Sequence, residues 1–185
     1  MESKKVLISL FLAFLMISSI AGFIVGNPLD NSEKIEHNGY TFILTNQGYL
    51  TYLGDNQVLI SSDPRNIQLY KGLEAFTLEK LNSANRIYFT FNPLDNLQNS
   101  FAYFDANIRP RLTKSITLAC TSDVAGCETL PIITCEDASA ANIVIQIDYS
   151  ETSSLSLDNN CLLLKGNQFT LPVLFDSVIL DLLLY

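Results

Sequence analysis

Positive charge is scarce in this chain. Its 185 residues include 11 lysine and arginine residues against 19 aspartate and glutamate residues, which gives a formal net charge of −8. No cluster of basic residues offsets this acidity. Because an acidic surface repels phosphate backbones, the composition argues against nucleic acid as a partner.

Histidine and the motifs of common catalytic sites are also lacking. His37 is the single histidine of the sequence and precedes the first predicted strand, where a solvated turn residue is expected rather than the base of a cysteine nucleophile. The sequence contains no Gly-x-Ser-x-Gly elbow, no Gly-rich phosphate loop and no EF-hand spacing of acidic residues. It therefore predicts no assembled catalytic set, no metal and no cofactor.

A long uncharged run occupies the N-terminus. Lys4 and Lys5 precede residues 6–26, which carry no charge and at helical rise span the hydrocarbon core of a bilayer. Basic residues before the run and acidic residues after it predict a cytoplasmic N-terminus and an extracytoplasmic remainder. We expect a retained single-pass anchor in contact with the lipid bilayer. The alternative is a signal peptide cleaved near Ala21, which would make the protein secreted.

The residues after this segment divide into a polar linker, 27–38, and a single domain, 39–185. Aromatic and β-branched residues separated by turn sequences predict a three-stranded β-meander at the start of the domain. Its strands are expected over Tyr40–Thr45, 49–53 and 57–61.

A strand–helix–strand unit is predicted next. RIYFTF, residues 86–91, has the composition of a strand, and 115–119 returns as another, so the two should be parallel. Between them, Asn92 and Pro93 suit the start of a helix. An apolar stripe predicts the buried face of that helix, which Pro110 ends; it comprises Leu94, Leu97, Phe101, Phe104 and Ile108.

The remaining elements complete an α+β or α/β domain. A short helix is expected over 78–83, and further strands over 132–134, 142–147 and 161–165. A helix over 171–184 closes the chain. Its predicted inner face comprises Leu171, Leu174, Phe175, Val178 and Leu182.

Several of these segments together resemble a group of archaeal single-pass, membrane-anchored exported proteins. They are HNGYTFILTNQGYLTYL, RIYFTFNP, PIITCEDASAANIVIQI and NNCLLLKG, followed by the apolar terminal helix. The resemblance covers most of the domain and implies an exported domain behind one anchor. It implies no activity, because none is established for such proteins.

The four cysteines admit three chemical interpretations. Zinc sites usually pair ligands two to four residues apart, and thiol–disulfide enzymes use a two-residue gap. Here Cys120, Cys127, Cys135 and Cys161 are spaced more widely than either. An even number of cysteines in an exported domain favours disulfides. Of the three possible pairings we predict Cys120 with Cys127 and Cys135 with Cys161.

The acidic residues and tyrosines of the domain suggest no specific chemistry. Glu136 and Asp137 are adjacent, so on a strand their side chains would diverge, and turn capping by Asp137 is the expected role. Further acidic residues are Asp148, Glu151 and Asp158, and tyrosines that could pack in the core or form a protein-binding face are Tyr40, Tyr49, Tyr52 and Tyr70.

These features predict a membrane-anchored interaction or structural module of the cell envelope that binds other envelope proteins. The alternatives are an anchored extracytoplasmic hydrolase that uses acidic residues at strand ends, and a thiol–disulfide exchanger. A deep pocket with converging carboxylates or His37 would favour an enzyme. An exposed aromatic face would favour a binding module.

Overall fold

The computed structural model of the chain describes residues 33–37, 39–54, 56–67 and 73–184. The predicted membrane segment, most of the predicted linker and Tyr70 lie outside the described residues. Within those described ranges, no helix has the length and apolar character needed to cross a bilayer. The described residues from Ile35 onward form one compact unit.

The first sheet contains four strands in chain order, one more than predicted. They are β1 (Lys34–His37), β2 (Tyr40–Thr45), β3 (Gly48–Leu53) and β4 (Asn56–Ile60). Strands β2 to β4 form the predicted antiparallel meander. The additional strand, β1, lies in the stretch predicted as linker. Ile35 at its centre is buried in the core, which ties this otherwise polar strand to the domain.

The second sheet has five strands in the order β6-β5-β7-β9-β8. They are β5 (Arg86–Phe91), β6 (Ile116–Cys120), β7 (Asn142–Tyr149), β8 (Ser154–Asp158) and β9 (Cys161–Gly166). All pairs are parallel except β8 with β9 at the edge. The predicted strand over 132–134 is only one bridge, between Cys120 and Ile132. At this bridge the Cys120 N–H donates to Pro131 O and the Ile133 N–H donates to Cys120 O, both at 2.9 Å.

Three α-helices accompany the sheets in the described chain: α1 (Leu78–Ser83), α2 (Gln98–Ile108) and α3 (Leu171–Leu184). Strand β5, helix α2 and the parallel strand β6 form the predicted unit. Helix α2 begins later than predicted, because Asn92 caps a short 3₁₀ turn, Pro93–Asp95, and Asn96 then adopts a left-handed conformation (φ 54°). Leu94, predicted to be buried, is consequently 59% exposed.

The two faces of the second sheet are covered differently. One face packs on helices α2 and α3, with the ring of Phe89 5.9 Å from that of Phe104 and 6.0 Å from that of Phe175 between centroids. All five residues predicted for the inner face of α3 are buried there. On the other face lies the segment 120–135, which carries three of the four cysteines and which we call the cysteine loop. There Thr90 Oγ1 donates a hydrogen bond to Ile133 O at 2.6 Å.

The first sheet joins this core through the outer edge of β4. Its backbone N–H groups would otherwise lack partners, since β4 pairs only with β3. Leu59 N donates to Asn107 Oδ1 at 3.3 Å, and Ser61 N donates to Tyr103 Oη at 3.0 Å. Side chains of α2 thus satisfy an edge strand and fix the two sheets together.

Candidate functional site

The four cysteines form two disulfides, in the predicted pairing. Cys120 is bonded to Cys127, with Cα atoms 6.1 Å apart, and Cys135 to Cys161, with Cα atoms 5.2 Å apart. Three of the four are buried, and only Cys135 is partly exposed. The first bond closes the loop after β6, and the second ties that loop region to the start of β9. Both therefore staple the cysteine loop to the sheet.

The remaining residues singled out from the sequence do not form one site. His37 ends β1, and its Nε2 is buried without a hydrogen-bond partner among the described residues. No described cysteine is free to act as its nucleophile. Asp137 caps a 3₁₀ turn through Thr134 N at 2.8 Å, as expected for a turn residue. Glu136 is exposed beside it. No cluster that could hold a metal occurs in the described part of the chain.

Two further predicted acids are used locally. Asp148 accepts a hydrogen bond from Gln146 Nε2 at 2.9 Å, and Asp158 accepts one from Asn159 Nδ2 at 3.0 Å. Tyr40 and Tyr49 pack against the core, whereas Tyr52 is 56% exposed on β3. Of the predicted acids, Glu151 lines a cavity together with Asp95 and Tyr149.

An open cleft lies at the carboxyl ends of β5, β7 and β9, and we refer to it as the carboxyl-end cleft. From β5 the chain proceeds to β6 on one side, while β7 flanks β5 on the other. In open parallel sheets such a reversal of strand order leaves a crevice in which ligands bind. The loops after the three strands supply the walls, so fold position alone makes this the first candidate site.

The cleft consists of two adjoining cavities. The larger one, of about 480 Å³, lies between the start of α2, the start of α3 and the end of β4. The smaller one, of about 310 Å³, lies over the end of β7. Asn96, Leu97, Gln168 and Phe169 line both cavities, which makes them one continuous depression. Its size is within the range of small-molecule and side-chain pockets.

Phe169 projects into solvent because the chain before α3 is fixed by a local cap. Asn167 Oδ1 accepts hydrogen bonds from Phe169 N at 3.0 Å and from Thr170 N at 3.2 Å. In return, Thr170 Oγ1 accepts one from Asn167 N at 3.0 Å. The intervening side chains must point outward, and Phe169 is 77% exposed. The capped loop thus places the exposed ring of Phe169 at the mouth of the cleft.

The smaller cavity is negatively charged. Tyr149, which is 52% exposed, forms a hydrogen bond with the Glu151 carboxylate. This bond raises the pKa of the Tyr149 phenol, the charge of Glu151 adds to the effect, and that of Asp95 contributes least. Among the described residues, no lysine or arginine lines either cavity. Aromatic faces beside carboxylates that have no lysine or arginine partner in the cavity favour the binding of a cationic group.

A buried carboxylate forms the structural base of the larger cavity. Asp176 of α3 is fully buried and accepts hydrogen bonds from Ser61 Oγ and Ser62 N, both at 2.8 Å. Ser61 N at 3.3 Å and the Tyr103 hydroxyl donate to its other oxygen. Four donors, three from the two residues after β4 and one from α2, thus converge on one side chain of α3. This network positions Ser61 and Tyr103, which line the cavity.

The pKa of Tyr103 gives this network a pH dependence. Burial raises the pKa of its phenol, and the negative charge of Asp176 raises it further. Above about pH 10 the unfolded chain loses this proton while the folded chain retains it, so the stabilisation is complete below that pH and declines as the pH rises. For Tyr103→Phe we expect the free energy of unfolding, measured in urea, to fall less steeply with rising pH above about pH 10 than it does for the parent. Tyr52→Phe, at an exposed tyrosine, should keep the parental slope, and an unchanged slope in Tyr103→Phe would contradict this account.

Sequence reasoning missed most residues of the cleft. Asp95 and Phe169 were not singled out, because they lie in loops after two different strands, and Asp176 of α3, which supports the cleft from behind, was not singled out either. One signal was present: Asp176 stands among apolar residues in the last helix, where an acid on the inner face requires partners. Comparisons of the chain with family models, with curated proteins and with solved structures gave no match.

Proposed function

We propose that this chain is a membrane-anchored interaction module of the cell envelope, whose domain lies outside the cytoplasmic membrane. The observation that carries the proposal is the pairing of all four cysteines in two disulfides, which form and persist in oxidising compartments. The uncharged run after Lys4 and Lys5 supplies the expected anchor. The resemblance to archaeal anchored proteins agrees with this placement.

The proposed binding face is the carboxyl-end cleft. Phe169, Tyr149 and Leu94 are exposed apolar residues of the loops at this end of the second sheet. Exposed aromatic residues are typical of recognition surfaces. The carboxylates of Asp95 and Glu151 supply charge complementarity for a partner with an arginine or lysine side chain. We therefore expect a basic segment of another envelope protein to occupy the cleft.

The enzyme alternatives have less support. A hydrolase is favoured by one observation, that Asp95 and Glu151 line the same cavity. However, Glu151 is exposed, whereas an enzyme of this kind would hold its acidic pair in an enclosed pocket. A thiol–disulfide exchanger requires an accessible sulfur, but both cysteines of the Cys120–Cys127 disulfide are buried, and in the other disulfide only Cys135 is partly exposed. An interaction module needs neither feature.

The cellular placement is tested by thiol labelling and protease treatment of intact cells. We expect a membrane-impermeant maleimide to label the protein only after reduction, because both disulfides should be formed. External protease should digest the domain without lysis, whereas a cytoplasmic control protein should survive. Protection of the domain from protease in intact cells would show that the domain is not exported. Labelling without reductant would show that its cysteines are free rather than paired.

Cleft binding is tested with a capped peptide that contains one arginine, and with the same peptide containing uncharged citrulline. For the full chain in detergent we expect the arginine peptide to bind more tightly. Phe169→Ser and Glu151→Gln should each weaken its binding by about tenfold or more, since cation–π and charge contacts are both lost. Tyr52→Ser removes an exposed aromatic residue outside the cleft and should have no effect. Equal binding of both peptides would contradict the cationic preference.

A further inference from the structure

A second groove lies at the opposite end of the second sheet, where β5 and β6 begin, and we refer to it as the amino-end groove. It has a volume of about 620 Å³. Its lining includes Arg86, Tyr88, Lys114, Ser115, Thr117 and Pro131. The lining includes two cations and, among the described residues, no carboxylate. This is unusual in a chain with a net charge of −8.

Parallel pairing explains why these side chains converge. Arg86 and Tyr88 are two residues apart on β5 and therefore share one face of the sheet. Tyr88 lies opposite Thr117 of β6 in the parallel register. This is the face away from α2 and α3, whose side chains contact the alternate residue Phe89. The groove is thus built on strands and has a defined floor.

The cysteine loop contributes a further wall of the amino-end groove. Pro131 borders the groove, and its carbonyl accepts a hydrogen bond from Cys120 N at 2.9 Å. The Cys120–Cys127 disulfide anchors the same part of the loop. The apolar proline ring therefore stands at a fixed position beside polar side chains, as in pockets that orient a small organic ligand.

Both cations retain unused donors. Arg86 donates one hydrogen bond, at 3.1 Å, to Tyr88 Oη, and Lys114 Nζ donates to the backbone carbonyl of Ala84. Neither forms an ion pair with a carboxylate in the described ranges. All but one of the guanidinium N–H groups of Arg86 thus remain available, as do further ammonium hydrogens of Lys114.

We propose that the amino-end groove binds a small organic carboxylate. The planar fork of Arg86 can bind both oxygens of a carboxylate, while Lys114 supplies a second positive charge. The hydroxyl groups of Ser115 and Thr117 remain for the polar substituents of the ligand, and both residues are exposed in the groove. A bare inorganic anion would leave most of the volume unfilled. The proposal is independent of the carboxyl-end cleft and of the cellular placement.

The test is isothermal titration of the full chain in detergent with four probes. D-Glucuronate and acetyl-alanyl-alanine carry a carboxylate on a sugar and on a peptide, glucose is the uncharged sugar control, and inorganic phosphate is the competing anion. We expect at least one carboxylate probe to bind saturably and more tightly than phosphate, and glucose not to bind. The probe that binds identifies a sugar-borne or a peptide-borne carboxylate as the ligand.

Variants locate the binding. Arg86→Gln should weaken the carboxylate by at least about tenfold, because a bidentate charged contact is lost. Lys114→Gln should also weaken it, and its thermal unfolding must be measured because this lysine also bonds to Ala84. Lys165→Gln, which removes an exposed cation from β9, should bind as the parent does. Absence of binding by both carboxylates, tighter binding of phosphate, or unchanged affinity in Arg86→Gln would each overturn the proposal.

Discussion

Replacement of Asp176 by alanine is expected to lower the free energy of unfolding by at least about 3 kcal/mol. The substitution deprives four donors of their common acceptor, namely two backbone N–H groups, the Ser61 hydroxyl and the Tyr103 hydroxyl. Hydrogen bonds to a charged group contribute more than neutral ones, and buried donors without partners are costly. For a chain of this size the loss corresponds to a melting temperature lower by about 10 °C.

The same helix offers a matched control. Asp181 is only partly buried, and its pKa is raised by burial and then by the charge of Glu74. An acid with a raised pKa is destabilised as a carboxylate in the folded state, so its contribution declines as the pH rises through its titration. Asp181→Asn should therefore leave stability at neutral pH unchanged or slightly higher. If Asp176→Asn and Asp181→Asn lost equal stability, the network around Asp176 would not be the cause.

Changes in the hydrogen-bond network of Asp176 should also affect the carboxyl-end cleft. Ser61 and Tyr103 line the larger cavity, and Asp176 fixes both from behind. Tyr103→Phe removes one donor from this network while retaining the ring, and should cost less stability than Asp176→Ala. Because the smaller cavity is formed by other loops, arginine-peptide binding should be affected less by Tyr103→Phe than by Glu151→Gln. The free energy of unfolding and the affinity for the arginine peptide thus distinguish residues that support the cleft from residues that contact the peptide.

Sequence patterns predicted the strands and helices that contribute most to the core. The apolar runs of β5, β7 and β9 are buried on the helix-facing side, and the five inner residues of α3 all lie in the core. The two strands that were missed, β1 and β8, are edge strands with little apolar content. β8 alternates serine and leucine, and its leucines are only half-buried. Edge strands are paired on one side and half-solvated, so they contain few apolar residues. The short serine–leucine alternation of β8 was nevertheless a strand signal in the sequence.

Turn chemistry accounts for the other differences. Asn159 has a left-handed conformation (φ 53°) and leads the chain from β8 into β9, a hairpin signal that the Asn159-Asn160 pair carried in the sequence. Asn92 and Pro93 were correctly read as a cap and a first helical position, but they begin a 3₁₀ turn rather than α2. A local cap specifies a start and not the length of the helix that follows.

The candidate sites were harder to predict than the fold, for a topological reason. Each wall of the carboxyl-end cleft follows a different strand, and the relevant residues, Asp95, Glu151 and Phe169, are far apart in the chain. The order of strands decides which loops become neighbours, and no local pattern encodes that order. The amino-end groove has the same character, since Arg86 and Lys114 become neighbours only when β5 and β6 pair in parallel. By contrast, cysteine spacing sufficed for the disulfides.

Removal of the Cys135–Cys161 disulfide by a double alanine substitution is expected to lower the free energy of unfolding by about 3.5 kcal/mol. The two cysteines are 26 residues apart, against 7 for Cys120 and Cys127. A longer closed loop restricts the unfolded chain more, so removal of the shorter bridge should cost only about 2.5 kcal/mol. Urea unfolding of the parent and both double variants, without reductant, measures the two losses.

The order of the two losses is the informative result, because native contacts favour the opposite order. Cys120 and Cys127 are both buried, whereas Cys135 is partly exposed and its backbone N–H remains bonded to Gln146 Oε1 at 2.9 Å. If packing of the sulfur atoms dominated, loss of the shorter bridge would be the more damaging. A larger loss for Cys135–Cys161 would show that restriction of the unfolded chain outweighs native packing. The long bridge would then be the main covalent contribution to the stability of the domain.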